Sequence, residues 1–118
     1  MGAQKYLDPR PIQAIPIATL RLVVDMFESE VPSTLERLQT FLGEGDAESM
    51  GEEAHRLKGS CLSLGAVSMA EELKILQDFG FSKSLEKVPV HLERLAELFP
   101  PTLSALQQEL QVRIDQES

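Results

Sequence analysis

Residues 53–66 of this 118-residue chain read EAHRLKGSCLSLGA, and they are the most informative stretch of the sequence. An α-helix turns by about 100° per residue, which places a set of apolar residues on one side that we expect to face a core: Met50, Ala54, Leu57, Cys61 and Leu64. His55 points roughly 130° away from the middle of this stripe, so it is predicted to face solvent. The stretch therefore predicts an amphipathic helix with a histidine on its exposed flank.

The sequence on both sides of this stretch has the same helical character. Apolar residues at spacings of three and four predict long helices over 17–42, 47–64 and 67–78, and a last one that begins at Pro89. The turn at 43–46 ends in Asp46, a favourable N-cap, and residues 79–87 are expected to form a loop or a fraying helix end. No segment alternates like a strand. The predicted fold is all-α, an antiparallel up-down four-helix bundle.

Prolines mark the irregular places in this pattern. Pro32 should bend the first helix without ending it. The pair Pro100-Pro101 predicts a kink or a break in the last helix, which then resumes to about Arg113. Asp8 and Pro9 are expected to cap and start a short extra helix. We therefore expect one domain over 1–118, with an irregular segment over 1–16 and the bundle over 17–113.

Composition excludes several functional classes. The net charge of −8 disfavours binding to nucleic acid and to anionic membrane surfaces. No apolar run approaches the ~20 residues that span a bilayer, and the N-terminus does not resemble a signal peptide. The single cysteine, Cys61, cannot form an internal disulfide and is expected to be a small core residue. A cytoplasmic monomer is the expectation, although a domain excised from a larger membrane kinase would have the same composition.

The neighbours of His55 suggest a specific chemistry. Lys58 lies one turn further on and Gly59 leaves bare backbone beside the ring, while Leu62 presents apolar surface to solvent. Glycine inside a helix costs about 0.5–1 kcal/mol relative to alanine, which suggests close approach by a partner. A neutral imidazole nitrogen is a nucleophile for phosphorus, and Lys58 would offset charge on the phosphoryl oxygens. Because no phosphate-binding glycine-rich loop is present, the phosphoryl group must come from another protein.

The motif around His55 also resembles a known family. The run HRLKGS at 55–60, preceded by Ala54 and followed by LGA at 64–66, closely resembles the signature of histidine phosphotransfer (HPt) domains. A weaker similarity extends from about Leu7 to Leu110 and includes LDP at 7–9, FESEVP at 27–32 and GD at 45–46. The family fold is a four-helix bundle with a phosphorylatable histidine exposed on the second bundle helix.

The resemblance implies roles for individual residues. His55 matches the phosphoacceptor, Lys58 the lysine beside the phosphoryl group, and Gly59 the glycine that gives a partner access. Gln77 lies where several members carry a glutamine near the imidazole. Members exchange phosphoryl groups with receiver-domain aspartates, and the receiver supplies Mg²⁺.

The sequence thus predicts a phosphocarrier of a two-component phosphorelay with no turnover, cofactor or metal site of its own. Its expected partners are response-regulator receivers and a sensor or hybrid histidine kinase. They are predicted to dock around Gly51, Glu52 and Leu62. The acidic residues Glu48, Glu52 and Glu53 are expected to form a solvated face.

Other interpretations remain open at this point. The bundle could be a helical adaptor that binds signalling partners without being phosphorylated, or a helical enzyme such as a metal-dependent hydrolase. His55 could be an ordinary surface histidine, Lys58 could pair with Glu52 or Glu53, and Gly59 could serve helix packing. His91 has no metal-ligand companions and is expected to be structural or solvated.

Overall fold

Four long helices form the protein. The computed structural model describes residues 5–117, and its helices are α1 (Ile17–Glu44), α2 (Ala47–Leu64), α3 (Val67–Phe81) and α4 (Val88–Glu117), preceded by a short 3-10 helix (Arg10–Ile12). Each helix packs against the next and α4 packs against α1, which closes the bundle. No strand occurs between residues 5 and 117, and no helix in this range is long and apolar enough to cross a membrane. The prediction of an all-α four-helix bundle is confirmed.

The core lies between the inward faces of the four helices. The stripe predicted on α2 is buried throughout, from Met50 to Leu64. It meets large buried side chains from the other helices: Leu20, Phe27 and Leu38 of α1, Leu73 and Leu76 of α3, and Leu92, Leu95 and Leu106 of α4. Removing apolar surface from water contributes about 25 cal/mol per Å², so these faces hold the helices together.

Local signals set the ends of α2. The Asp46 carboxylate accepts a hydrogen bond from the Ser49 backbone N–H at 3.1 Å, as expected of an N-cap. Gly45 (φ 70°) ends α1 and Gly65 (φ 76°) ends α2, both in the left-handed region that glycine adopts readily. The predicted bounds of α2 are therefore confirmed, whereas α1 runs two residues beyond its predicted end, to Glu44.

A loop or a fraying helix end was predicted over 79–87, and the loop is wrong for the first part, because α3 continues to Phe81. The reason is packing against α2. The backbone of Gly80 lies against Gly51, where a Cβ on Gly80 would fall 2.6 Å from the Gly51 Cα and 2.7 Å from the Ala47 carbonyl oxygen. Contact with α2 thus holds a glycine inside a helix that its local propensity would end.

The expected break at Pro100-Pro101 does not occur, because α4 is continuous across both prolines and reaches Glu117. The two missing N–H groups free the carbonyls of Ala96 and Glu97, which are exposed residues that water can hydrate. Buried side chains on both sides of the pair, Leu95 and Leu106 among them, keep the helix against the bundle. A bend of the axis stays a prediction. α1 likewise continues through Pro32 as predicted.

The N-terminal segment closes one end of the bundle. Residues 1–4 of the segment predicted over 1–16 lie outside the described range. The short helix is present as a 3-10 turn, but Pro9 occupies the N-cap position that was predicted for Asp8. The Asp8 N–H instead donates to the Gly65 carbonyl at 2.8 Å. Leu7 and Ile12 are buried in the core, which anchors the segment.

Candidate functional site

His55 lies on the exposed face of α2, as predicted, and its ring is oriented by α3. Its Nδ1 is 2.8 Å from the side-chain oxygen of Gln77. An amide oxygen can only accept, so Nδ1 carries the proton and donates it to Gln77. The Nε2 lone pair of the neutral ring is then free, and this nitrogen has no partner among residues 5–117. The packing of α2 on α3 thus leaves one specific ring nitrogen of His55, Nε2, exposed with a free lone pair.

Lys58 and Gly59 keep the surface beside His55 cationic and open. Lys58 is half-buried and forms no ion pair within the part of the chain that the structure describes. The alternative in which it pairs with Glu52 or Glu53 is therefore wrong. A Cβ on Gly59 would meet no atom within 4 Å, so helix packing does not explain this glycine. A phosphoryl group on His55 would find an uncommitted ammonium one turn away.

A charged network occupies the opposite flank of α2. Glu53 Oε1 accepts from Arg37 Nε of α1 at 2.7 Å and from Arg56, which also reaches Glu30 at 3.4 Å. Burial tends to raise the pKa of Glu53, but the hydrogen bonds from Arg56 and Arg37 outweigh it and hold that pKa below its usual range. Glu53 is therefore not part of a solvated face. Arg56, the sequence neighbour of His55, is therefore already paired with Glu53 and Glu30.

The predicted docking residues differ in their surroundings. Glu52 is exposed, and Leu62 is 54% exposed, so both are available to a partner. Gly51 is buried, and a Cβ there would fall 2.8 Å from the Phe81 ring and 3.3 Å from the Gly80 Cα. Its predicted role in docking is wrong, because its missing side chain serves the close contact of α2 with α3.

Sequence reasoning missed an open groove beside the site, which we call the α2–α3 groove. Its lining includes residues from both helices: Lys58, Leu62, Ala70, Glu71, Lys74 and Ile75. The α3 residues among them were seen only as part of a helical pattern. Their spacing could have indicated that they share a face of α3 with Gln77, since Lys74 and Glu71 precede Gln77 by about one and two turns. Which helix they would face could not be read from α3 alone.

Cys61 and His91, the other side chains considered for reactivity, are both buried. Burial raises the pKa of Cys61 to about 12, so its thiol is not a nucleophile, and its predicted place in the core is confirmed. His91 is buried between α3 and α4, where its Nδ1 lies 2.7 Å from Glu72 and its ring contacts Phe79. Within residues 5–117 there is no group of three or more His, Cys, Asp or Glu side chains arranged to hold a metal ion.

Comparisons with known proteins agree with this geometry. A family model described as Hpt domain matches residues 22–116. A 58-residue stretch is 31% identical to the phosphorelay intermediate protein YPD1 of Candida albicans; it covers 49% of this chain and 32% of that protein, so the match spans about a third of the relative's length. The crystal structure of histidine-containing phosphotransfer protein B (HptB) from Pseudomonas aeruginosa PAO1 superposes with a TM-score of 0.77. It is 26% identical and the match covers 90% of this chain and 95% of that one.

Proposed function

The chain belongs to the Hpt domain family, and from this premise we propose that His55 accepts and donates a phosphoryl group in a two-component phosphorelay. One observation carries the assignment to His55. Its Nδ1–H is held by Gln77 while Nε2 is left unpartnered at the surface. The chain's other histidine, His91, is buried and bonded to Glu72, so it does not offer a comparable nitrogen.

The proposed step is a displacement at phosphorus. The Nε2 lone pair attacks the phosphorus of an aspartyl phosphate on a receiver domain, an N–P bond forms, and the P–O bond to the aspartate breaks so that a free carboxylate leaves. The proton on Nδ1 stays with the Gln77 hydrogen bond. Donation to a second receiver is the reverse reaction. Lys58 offsets negative charge on the phosphoryl oxygens, and Gly59 lets the partner's active site approach.

The partners follow from this chemistry. We propose that receiver domains and a sensor or hybrid histidine kinase exchange the group with His55, and that the receiver brings the Mg²⁺ ion. The chain itself then acts as a carrier in the cytoplasm, as a monomer and without turnover of its own. Contacts between carrier and receiver should be transient, because each partner must leave before the next can bind.

The experiment uses two donors of different size. Potassium phosphoramidate is a small donor that needs no docking surface, and a purified receiver phosphorylated with acetyl phosphate is a protein donor. We expect both to label the wild-type chain on His55, as an acid-labile and base-stable modification located by mass spectrometry. His55→Gln should remain unlabelled, whereas His91→Gln, with its fold checked by circular dichroism, should be labelled normally.

Two results would overturn the assignment. Label that persists in His55→Gln would place the phosphoryl group elsewhere. A wild-type chain that binds receivers but is labelled by neither donor would instead be the adaptor that the sequence left open.

A further inference from the structure

We propose that Phe81, the last residue of α3, is a positioning residue for His55. Its ring fills the bare surface of α2 at Gly51, and this keeps the imidazole where Gln77 can bond Nδ1. The inference rests on the proposed function, and it adds a residue that acts on the reaction through the ring of His55. Phe81 is 51% exposed, so most of its effect on the bundle is made at the surface and not in the core.

Phe81 lies one helical turn from the His55–Gln77 hydrogen bond. On α2, Gly51 precedes His55 by four residues. On α3, Phe81 follows Gln77 by four residues. Because the two helices run antiparallel, these pairs lie at successive levels of the same helix–helix contact, one turn apart. The contact at the second level is direct, since the Cδ1 and Cε1 atoms of Phe81 lie 2.8 and 2.9 Å from the point that a Cβ on Gly51 would occupy.

The direction of helical side chains brings the two rings towards each other. In an α-helix each Cα–Cβ bond tilts towards the N-terminus, so a side chain covers the turn before its own Cα. The imidazole of His55 therefore extends over the turn that contains Gly51. The ring of Phe81 extends back along α3 towards Gln77. The imidazole is left with the part of this space that Phe81 does not fill.

The missing side chain at Gly51 would otherwise leave a gap beside the imidazole. Helical side chains have two common χ1 rotamers, near 180° and −60°, and bare backbone on the preceding turn would let the His55 ring turn between them. A ring that turned away would lose the Gln77 oxygen, and its two neutral tautomers would then exchange through water. With Phe81 in the gap, the orientation that reaches Gln77 is favoured.

The end of α3 holds Phe81 in place although its ring is exposed. Its neighbour Gly80 lies against α2, where a Cβ would fall 2.6 Å from the Gly51 Cα. Lys83 adopts the left-handed region (φ 60°) that commonly closes a helix end. Three backbone N–H groups bond back onto the last turn at 3.0, 3.1 and 2.9 Å: Ser82 to Asp78, Lys83 to Gly80 and Ser84 to Phe79. The backbone of Phe81 is thus fixed on both sides.

Two phenylalanines on α3 allow a matched test. Phe79 packs on the other side of this helix, where its ring contacts His91 of α4 at a centroid distance of 5.7 Å. Because Phe79 is half-buried against the core, we expect Phe79→Ala to lower the urea midpoint but to leave the ¹⁵N shifts of the His55 ring unchanged. Phe81→Ala removes a more exposed side chain and should cost less stability. It should nevertheless move the ¹⁵N shifts from a single Nδ1–H tautomer towards a mixture.

The same variants are then labelled with potassium phosphoramidate, the donor that needs no docking surface. The rate constant for labelling His55 should fall by about two- to tenfold in Phe81→Ala, the range expected for loss of one hydrogen bond, and stay normal in Phe79→Ala. Phe81→Leu, which refills the space over Gly51 with apolar atoms, should restore most of the rate and the single tautomer. In a Gln77→Leu background, Phe81→Ala should lower the rate no further, because it acts through the bond already lost.

The outcomes separate positioning from other roles. An unchanged tautomer or a normal phosphoramidate rate in Phe81→Ala would overturn the proposal, and slower transfer from a phosphorylated receiver alone would make Phe81 a partner contact instead. Equal ¹⁵N changes in Phe79→Ala and Phe81→Ala would also overturn it, because they would report a general loosening of α3. If the wild-type chain accepts no phosphoryl group, the proposed function fails, and the ¹⁵N shifts alone then decide whether Phe81 positions the His55 ring.

Discussion

A single hydrogen bond gives His55 its distinctive state. Many exposed histidines exchange freely between two neutral tautomers, and either nitrogen can then present a lone pair. The Gln77 oxygen selects the form with the proton on Nδ1. The bond crosses from α2 to α3, so the tautomer of the ring depends on a residue 22 positions away along the chain.

Gln77→Leu should therefore weaken the positioning of the His55 ring without removing the proposed nucleophile, Nε2. A net hydrogen bond is worth about 0.5–1.5 kcal/mol, which corresponds to a roughly two- to tenfold lower rate constant for single-turnover transfer, with the half-saturating receiver concentration unchanged. The ¹⁵N shifts of the ring should move from a single Nδ1–H tautomer towards a mixture. Gln77→Glu, which keeps an acceptor oxygen, should retain the single tautomer. Unchanged ¹⁵N shifts in Gln77→Leu would show that Gln77 does not set the ring state.

Gly59 allows a test of whether the partner comes close to the α2 backbone beside His55. A side chain there would extend into open space, because a Cβ meets no atom within 4 Å. We expect Gly59→Gln to be folded and to react normally with phosphoramidate. Transfer from a phosphorylated receiver should fall by at least tenfold, since the added side chain stands where the partner approaches. Normal transfer from the receiver would mean that the partner does not come close to this backbone.

Between elements, α2 and α3 approach each other closely at Gly51 and Gly80. The clashes that a Cβ on Gly80 would make are with backbone atoms, which cannot rotate away as a flexible side chain can. This crossing fixes the spacing of the two helices that carry His55 and Gln77. It lies at the end of α2 opposite the Gly65 turn.

Gly80→Ala should force these two helices apart. Overpacking of this kind typically costs about 1–3 kcal/mol, which urea denaturation would measure as a lower midpoint. The control is Gly43→Ala, a helical glycine where an added Cβ meets nothing within 4 Å, and it should be neutral or stabilise by up to about 1 kcal/mol. Equal effects in the two variants would contradict the role of the crossing.

The Glu53 network joins α1 to α2 and predicts a pH dependence. Because the pKa of Glu53 is lowered in the folded chain, its contribution to stability is present above its ordinary pKa of 4.5 and is lost as the pH falls through the lower folded value. Glu53→Gln should therefore have a lower urea midpoint than the wild type at pH 7. In acid, the urea midpoints of the variant and the wild type should come closer together. Glu52→Gln, which removes a carboxylate with no ion pair between residues 5 and 117, should show no such convergence.

At the scale of the whole molecule, the N-terminal segment ties distant parts of the chain together. Arg113 of α4 donates to the Ile12 carbonyl at 3.0 Å, and Asp8 bonds to Gly65 at the turn between α2 and α3. Leu7 fills the core at the same end. The segment therefore closes the bundle at the end of α2 that lies away from the Gly51–Gly80 crossing.

Gly45 and Gly65 have similar backbone angles, so a comparison of their alanine variants tests how the N-terminal segment packs against the Gly65 turn. Gly45 (φ 70°) and Gly65 (φ 76°) should both resist alanine by about 1–2 kcal/mol, the cost of the left-handed region. Gly65→Ala should cost clearly more, because its Cβ would lie 2.0 Å from the Asp8 carbonyl oxygen, whereas a Cβ on Gly45 meets nothing. Denaturation midpoints of the two variants give the comparison. Equal losses would indicate that the segment does not pack against this turn.

The sequence by itself determined the helical class, the bounds of α2 and the exposure of His55. These follow from the 3.6-residue period and from caps such as Asp46, which act between residues a few positions apart. The Lys58 and Gly59 surroundings were predictable for the same reason, since they lie within one turn of the histidine.

Only the tertiary structure decided which side chains meet across helices. It brought the Gln77 oxygen to His55 and buried Gly51 against Gly80. It also paired Glu53 of α2 with Arg37 of α1. It also kept α4 continuous across two prolines, where local preference predicted a kink or a break. Each of these outcomes depends on the distance and rotation between packed helices, which residue spacing within one helix does not encode.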